Sequence, residues 1–314
     1  MDDIDTGADP VGRPPEPAAI VAALEAAGVR FDPAAIELLA RDDRVAVRLP
    51  NARMAWFPAN AEGLRRLQRE RRVLALIARH CAFRAPRVIH ASDAGWDLRT
   101  IVEGDVRPFE VYERVKAEAG FGRAVGAALG SVIAQLHAAI PRHALAGGWL
   151  PERPSWPPPV AWAEQRLPTV TDDAALTGRA LKLLERYETA ERAATERVLA
   201  HADLGFHNAV IDLQSGAVVG VFDFDGAAHA DPHHDFRFLL LDDPGEALLD
   251  VAISVYEAQT GRAVDRERVR LLNAACAVAF LAYRAGSAPH EAPAGRTLAE
   301  DLRWTAMALA RAGG

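Results

Sequence analysis

Three observations predict an α+β fold of two lobes, a small antiparallel-sheet N-lobe and a larger, mainly helical C-lobe. Short strand-like runs gather before residue 104 of the 314-residue chain. Long patterns of helical period fill most of the remainder. One strand–loop–strand–turn–strand segment, residues 198–235, interrupts those helices. A chain of this length can bury a large core, and it divides more readily into two bodies than one.

The elements follow in order. Residues 1–16, acidic and proline-rich, have too few apolar groups to offset the cost of ordering and read as a disordered tail. The N-terminal lobe then spans 17–104. Pro17 to Gly28 is a short alanine-rich helix ended by glycine. Ile36–Leu39 and Val45–Leu49 are strands with a turn at Arg41–Arg44. In the second strand Ala46 and Arg48 share one face, Ala46 leaving room for a flat base and Arg48 reaching toward phosphates; an edge arginine in solvent is the plainer alternative. Ala61–His80 is a helix whose apolar stripe of Leu64, Leu67, Leu74 and Ile77 also carries Glu70. A carboxylate on such a face needs a cation, and Arg48 is the expected partner, with Arg66, Arg69 and Arg71 as local rivals. Arg99–Val102 is a further strand, and with Glu103 and Gly104 it resembles the last small-lobe strand and hinge of kinase-like folds, which implies that the backbone of Val102, Glu103 and Gly104 meets the base.

The C-terminal lobe spans 105–314. Phe121–Ile140 is a helix ending in Leu136-His137, where His137 reads as a packed or capping residue. Pro151–Pro159 contains five prolines and Trp156, so it is an extended loop. Ala174–Arg197 is a long amphipathic helix returning the chain to 198–235. Helices over about 246–259, 266–285 and 297–310 close the sequence. Their acidic residues Glu257, Glu291, Glu300 and Asp301 read as parts of solvated faces, and the kinase-like resemblance makes them candidates to receive amines.

The chemistry concentrates in VLAHADLGFHNAVIDLQSGAVVGVFDFDGAAHADPHHD. Val198–Ala200 delivers His201 and Asp203. Ala209–Ile211 and Val218–Phe222 flank the turn Gln214–Gly216, placing Asp203 and Asn208 at one outer end and Asp223 and Asp225 at the other. Carboxylates gathered in this way call for a cation, and Asn208 with Asp223 suits Mg2+, which takes few protein oxygens, better than a Ca2+ cage. Asp203 is spaced to face a different ligand. Phosphoryl transfer needs this division between a metal on phosphate oxygens and a separate carboxylate on the attacking hydroxyl.

His201-Ala202-Asp203, Asn208 and then Asp223-Phe224-Asp225 resemble the catalytic segment of the aminoglycoside phosphotransferase family, which shares the protein-kinase-like fold and is related to choline and homoserine kinases. The resemblance implies that Asp203 is the catalytic base in a loop 201–208, and that Asn208 and Asp223 bind Mg2+ within the motif 223–225. Asp225 would assist in an outer shell or second metal site. Asp235 would brace the loop together with His201. Val45–Leu49 resembles the kinase Val-Ala-Ile-Lys strand with Arg48 in the lysine's place, and Glu70 would be its helix partner. ATP or GTP is the implied co-substrate. The implied acceptor is a hydroxyl of an aminoglycoside-like antibiotic or a small metabolite, which connects the family to antibiotic resistance. One part of the pattern is missing: no glycine lies between Val29 and Val45 to cover the phosphates. Either the flap is short, at Ala40–Asp43, or nucleotide is held differently.

Composition narrows the alternatives. A net charge of −7 argues against nucleic acid as partner and is compatible with a cationic acceptor. The two cysteines, Cys81 and Cys276, fall in apolar helical patterns and read as buried thiols. The acidic N-terminus is unlike a signal peptide, and the apolar run Leu271–Leu281 is too short to cross a bilayer, so a cytoplasmic enzyme with no membrane partner is expected. Two rival classes are a kinase-fold binding protein without turnover, favoured by the missing glycines, and a metal-dependent hydrolase built on the His/Asp cluster around His229–Asp235.

Overall fold

The computed structural model describes residues 15–33, 36–41, 43–240, 246–287 and 295–313. The expected tail at 1–16 falls outside them save for its last two residues, as do Asp42 of the expected flap and Glu291. The chain forms two compact units. One runs through Asp105 and takes in Val219–Asp225; the other comprises Val106–Val218 and the chain from Gly226 onward.

The smaller unit opens with α1 (Pro17–Ala26), with proline in its first turn, where a missing N–H costs nothing. Strands β1 (Glu37–Ala40), β2 (Arg44–Leu49) and β3 (Arg53–Pro58) follow, then α2 (Ala61–His80), β4 (Val88–Ala91) and β5 (Asp97–Thr100). The sheet is antiparallel in the order β1-β2-β3-β5-β4. Strand alternation sorts its two faces. Val45, Val47, Leu49, Ala55, Phe57 and Leu98 turn to one side and form a core with Ile20 and Leu24 of α1, where Phe57 stacks on Trp96 at 5.0 Å.

The opposite face carries Arg44, Ala46, Trp56, Asp97 and Arg99, and α2 presents Glu70 to it. Helix α2 begins at Asn60, whose side chain accepts the Gly63 N–H at 2.8 Å. A Cβ on Gly63 would stand 1.9 Å from the Asp43 carbonyl oxygen, so only glycine lets the helix start this close to β2.

Strand β3 is absent from the sequence reading. It is short, ends in Pro58, and follows a turn in which Asn51 and Ala52 take left-handed backbone (φ 61° and 50°). It follows the strand that resembled Val-Ala-Ile-Lys, which is the second strand here as in the sequence reading.

The larger unit holds α3 (Pro108–Ala117), α4 (Ala119–Ala138), α5 (Arg142–Leu145), α6 (Val160–Val170), α7 (Ala174–Ala193), β6 (Val198–Ala200) and β7 (Ala209–Ile211). Strand β8 (Val218–Val221) begins in this unit and continues into the smaller one. Then come β9 (Ala228–Ala230), α8 (Ala247–Thr260), α9 (Arg266–Tyr283) and α10 (Leu298–Arg311). Helices α3 and α6 are additions to the sequence reading, while α8, α9 and α10 lie within two residues of the predicted spans.

The core of this unit is made by α6, α7, α9 and α10, through residues such as Leu167, Leu183, Leu184, Leu272, Val278 and Leu309. On α4, Gly130 lets α8 approach so closely that a Cβ would lie 2.4 Å from the Ala252 carbonyl oxygen. Strand β6, which leads into loop 201–208, pairs antiparallel with β9. Residues 151–159 form no regular element, as five prolines require, and the Trp156–Pro157 peptide is cis.

Two expectations need correction here. Cys81 is only half-buried, at the end of α2, whereas Cys276 is buried; both thiols are free, and burial pushes each pKa up to about 11. Two helices, Ala119–Ala138 and Arg266–Gly286, are long and apolar enough to cross a membrane by length and composition. They carry core contacts in this structure, with 56% and 72% of their most apolar windows buried.

Candidate active site

The functional residues fall into a charged face in the smaller unit and a loop in the larger one. On the charged face, Ala46 and Trp56 are directly opposed across β2 and β3, so the space beside the small residue is taken by an indole. Guanidinium groups lie over that indole from two sides, Arg44 at 5.3 Å and Arg99 at 5.8 Å from the ring centre. Glu70 meets Arg99 at 2.5 Å and Arg44 at 3.9 Å. Asp97, fully buried, accepts from Arg99 at 2.8 and 3.0 Å and pairs with Arg71 at 3.4 Å. Burial alone would lower the Arg99 pKa, but Glu70 and Asp97 beside it push it upward, and it stays a cation.

This arrangement corrects the Arg48–Glu70 expectation. Arg48 is 58% exposed and pairs with Glu37 at 3.5 Å on the neighbouring strand. The buried partner of Glu70 comes from β5, with Arg44 of β2 behind it. Arg44 and Arg48 lie on the same face of β2, and the end nearer α2 is the one that carries Arg44.

Asp225 also differs from expectation. Arg44 approaches it at 2.6 Å, and Arg66 of α2 grips both its oxygens, one of them through Nε at 2.9 Å. Arg66 also holds Asp43 at 2.7 Å. A carboxylate shared by two guanidiniums is not offered to a metal in this structure. Of the other residues expected at the nucleotide, Val102 is buried, Glu103 is exposed, and Gly104 has φ 124°, in a region that favours glycine.

In the larger unit, β6 delivers a loop fixed by one buried carboxylate. Asp235, in the helical turn Pro232–Leu239, accepts the backbone N–H groups of His201 at 2.9 Å and Ala202 at 2.7 Å, and bonds His137 Nε2 at 2.9 Å. His137 reaches on to the Tyr256 hydroxyl at 3.2 Å, so it serves the brace as well as the packing. Burial would raise the Asp235 pKa; the His137 bond, nearby imidazoles and the Ala202 N–H outweigh it and hold the carboxyl below its ordinary range. These bonds secure Ala202 in left-handed backbone (φ 68°), a conformation that a non-glycine residue keeps only when its surroundings enforce it. Asp223 has the same unusual backbone, at φ 64°.

Asp203 follows with its side chain 45% exposed. Its own N–H is accepted by His201 Nδ1 at 3.3 Å, so His201 contributes to loop geometry from a fully buried position. The Asn208 amide nitrogen donates to both the Asp203 carbonyl and its carboxylate, each at 2.9 Å. His207 Nε2 lies 3.3 Å from the same carboxylate oxygen. Partial burial works to raise the Asp203 pKa, and the His207 hydrogen bond with the charges of His207, His201 and Arg237 more than cancels it, leaving the carboxyl depressed. Arg237, buried beneath, donates to the carbonyl oxygens of Ala202 and, at 3.0 Å, Trp156. The result is an ionised, accessible carboxylate on a rigid loop, able to accept a proton from a bound hydroxyl.

His233 and His234, from the expected His/Asp cluster, are each bonded within the protein. His233 is bonded to Asp231, while His234, at 3.1 Å from Glu191 and 2.8 Å from Arg237, has its pKa lowered mainly by burial. Among the described residues, no three His, Cys, Asp or Glu side chains are grouped to hold a metal.

The acidic candidates for amines among the described residues are engaged as well. Glu257 accepts the Val264 N–H at 2.8 Å, Glu300 completes the cap of α10 with Thr297, and Asp301 is bound by Arg284 and, at 2.6 Å, Arg296. Arg44, Trp56 and Arg99 are the site residues that sequence reasoning missed, and Arg66, weighed there as a partner for Glu70, holds Asp225 and Asp43. Only Glu70, an acid on an apolar stripe, signalled in the sequence that buried cations were needed.

Residues 24–272 match the model of the phosphotransferase enzyme family. No curated protein matches the chain. Among solved structures it is similar to the GDP complex of wild-type aminoglycoside 2'-phosphotransferase-IIIa, with 17% identity and a TM-score of 0.67, over 94% of this chain and 99% of that one. It is also similar to the GDP and kanamycin complex of APH(2")-IIia, at 18% identity and a TM-score of 0.63, over 94% and 97%. The apoenzyme of macrolide 2'-phosphotransferase MphH from Brachybacterium faecium is similar at 20% identity and a TM-score of 0.58, over 92% and 97%. At these identities the likeness is one of fold.

Proposed function

The chain belongs to the phosphotransferase enzyme family, and on that premise we propose that it transfers the γ-phosphoryl group of ATP or GTP to a hydroxyl of a small molecule. The observation that carries this reading is the Asp203 carboxylate, half-exposed, depressed in pKa, and held by Asn208 and His207 on a loop braced by Asp235. Asp203 orients the acceptor hydroxyl and takes its proton as the oxygen attacks the γ-phosphorus. The bond from phosphorus to the bridging oxygen breaks, and the nucleoside diphosphate leaves.

Asn208 and Asp223 are the residues that would hold Mg2+. Asn208 spends its amide nitrogen on Asp203, which leaves its carbonyl oxygen for a hard cation, and the Asp223 carboxylate is by itself an oxygen donor of the kind Mg2+ takes. When bound, the metal would neutralise charge on the phosphate oxygens.

Arg44 is the cation assigned to the triphosphate. In protein kinases that charge is a lysine on the third strand, paired with an acid on the following helix. Here the third strand carries Trp56, and Arg44 on the second strand approaches Glu70 and Asp225 instead. Val102, Glu103 and Gly104 are assigned to the base. The cytoplasm, which supplies nucleoside triphosphate, is the proposed location.

A nucleotide-dependent transfer assay tests the reading. Asp203→Ala should leave nucleotide affinity nearly intact and lower turnover by about two orders of magnitude or more. Near-normal turnover would remove Asp203 from its role. A second reading, a kinase-fold binding protein, draws on the arginine clamp over Asp225. It predicts nucleotide binding with no phosphate transferred in the unmodified protein.

A further inference from the structure

We infer that the acceptor is an uncharged hydroxyl compound with a flat or apolar ring face, received by an aromatic wall in the larger unit, and that polycations are poor acceptors. This rests on the phosphotransfer reading above. The wall is assembled from three places in the chain. Trp156 of the proline-rich loop lies 5.1 Å from Phe280 and 6.3 Å from Tyr283, both on α9, and 6.1 Å from Trp162 on α6. Phe280 lies 5.7 Å from Trp304 on α10. Arg296 stacks over Phe280 and Trp304 at 5.3 and 4.6 Å.

Three observations distinguish this wall from ordinary core. First, its rings stay partly open: Trp156, Trp162, Phe280 and Trp304 are half-buried, and Tyr283 is 57% exposed. Second, the Trp156 indole N–H is buried with no hydrogen-bond partner. Such a donor costs about 1–3 kcal/mol unless something supplies an acceptor atom, and a ligand oxygen would do so. Third, the wall is tied to the catalytic loop, because the same Arg237 side chain donates to the carbonyl oxygens of Trp156 and of Ala202, the residue before Asp203.

The charge at the wall argues against a polycation. Arg296 and Arg284 share the single carboxylate of Asp301, and Arg166 lies 4.3 Å over the Trp162 ring, so the local balance is positive and repels a polycation. Glu257 and Glu300 are committed to helix ends. The exposed Tyr283 ring, the open part of the half-buried rings and one donor N–H are what remain, and they suit a ring carrying an oxygen acceptor.

Calorimetric binding to the full chain tests this, with phenyl glucoside and kanamycin as probes and phosphate transfer followed separately. Phenyl glucoside should bind at least tenfold tighter than kanamycin. Trp156→Phe, which keeps a ring and removes the N–H, should weaken it about fivefold. Tyr283→Ala, at an exposed position, should weaken it by a similar factor, and neither variant should change nucleotide affinity. Tighter binding of kanamycin, or binding of phenyl glucoside indifferent to both substitutions, overturns the inference. Binding as expected with no phosphate transferred to either probe upholds the wall and counts instead against the phosphotransfer reading.

Discussion

The Arg44 guanidinium stands 2.6 Å from the Asp225 carboxylate, and both side chains are more than nine-tenths buried. A charge taken this far out of water is tolerable only with its partner present. Removing one side should therefore be costly. Arg44→Gln is expected to destabilise the protein by about 3–5 kcal/mol, and the milder Arg44→Lys to weaken nucleotide binding about tenfold through loss of the planar fork. Arg48→Gln should change stability by less than about 1 kcal/mol, as for an exposed pair. Urea unfolding and nucleotide titration measure both, and the reverse order of effects would return the role to Arg48.

Glu70→Gln makes a second test of the same face. Arg99 would keep Asp97 and lose its 2.5 Å partner. A loss of about 3 kcal/mol is expected, read as an earlier urea midpoint at unchanged slope. No measurable loss would mean that Asp97 alone satisfies the cation.

The depressed carboxyls set an acid limit. Asp231 and Asp235 both titrate below their ordinary value of 3.8 in the folded protein. Burial opposes ionisation in each, and the bonds to His233 and His137 prevail. Their stabilising contribution is fully present above the unfolded pKa and is lost as pH falls below it. Thermal melts should be insensitive to these groups between about pH 5 and 7 and move steeply downward below about pH 4. Asp235→Asn should already be less stable at neutral pH and lose less on acidification. Parent-like melting of that variant at neutral pH would count against the brace.

Two helical glycines should respond oppositely to the same substitution. Gly130→Ala would place a Cβ 2.4 Å from the Ala252 carbonyl, an overlap costing about 1–3 kcal/mol that exceeds the gain of about 1 kcal/mol in helix propensity. Gly178 on α7 has no atom within 4 Å of that position, so Gly178→Ala should stabilise by up to about 1 kcal/mol. Equal effects in thermal melts would show that α8 yields to α4.

The sequence was most legible where function demands fixed spacing. From His201 to Asp235, strand, loop and turn follow from alternating apolar residues and from Asp and Asn at turn positions. The long helices α2, α4, α7, α9 and α10 were readable from their period. Strand β3 was not, because six residues bounded by Pro50 and Pro58 give too short a pattern to set against a turn. Attention went to Arg48 because Val45–Leu49 resembles the kinase strand with Arg48 in the lysine's place. Nothing local in Arg44-Val45-Ala46 distinguishes a buried arginine from an exposed one. The difference lies in Glu70 and Asp225, 26 and 181 positions further along the chain. The neighbours of Trp156 were not legible, because a proline-rich loop reveals its conformation but not what packs against it.

The smaller unit is discontinuous, since it includes Val219–Asp225. A fragment cut after Asp105 would lack the carboxylate that Arg44 and Arg66 both grip, leaving a buried guanidinium without that counter-ion. Dissection of this protein into separately expressed halves therefore requires grafting the 219–225 segment onto the first piece, or adding it back as a peptide.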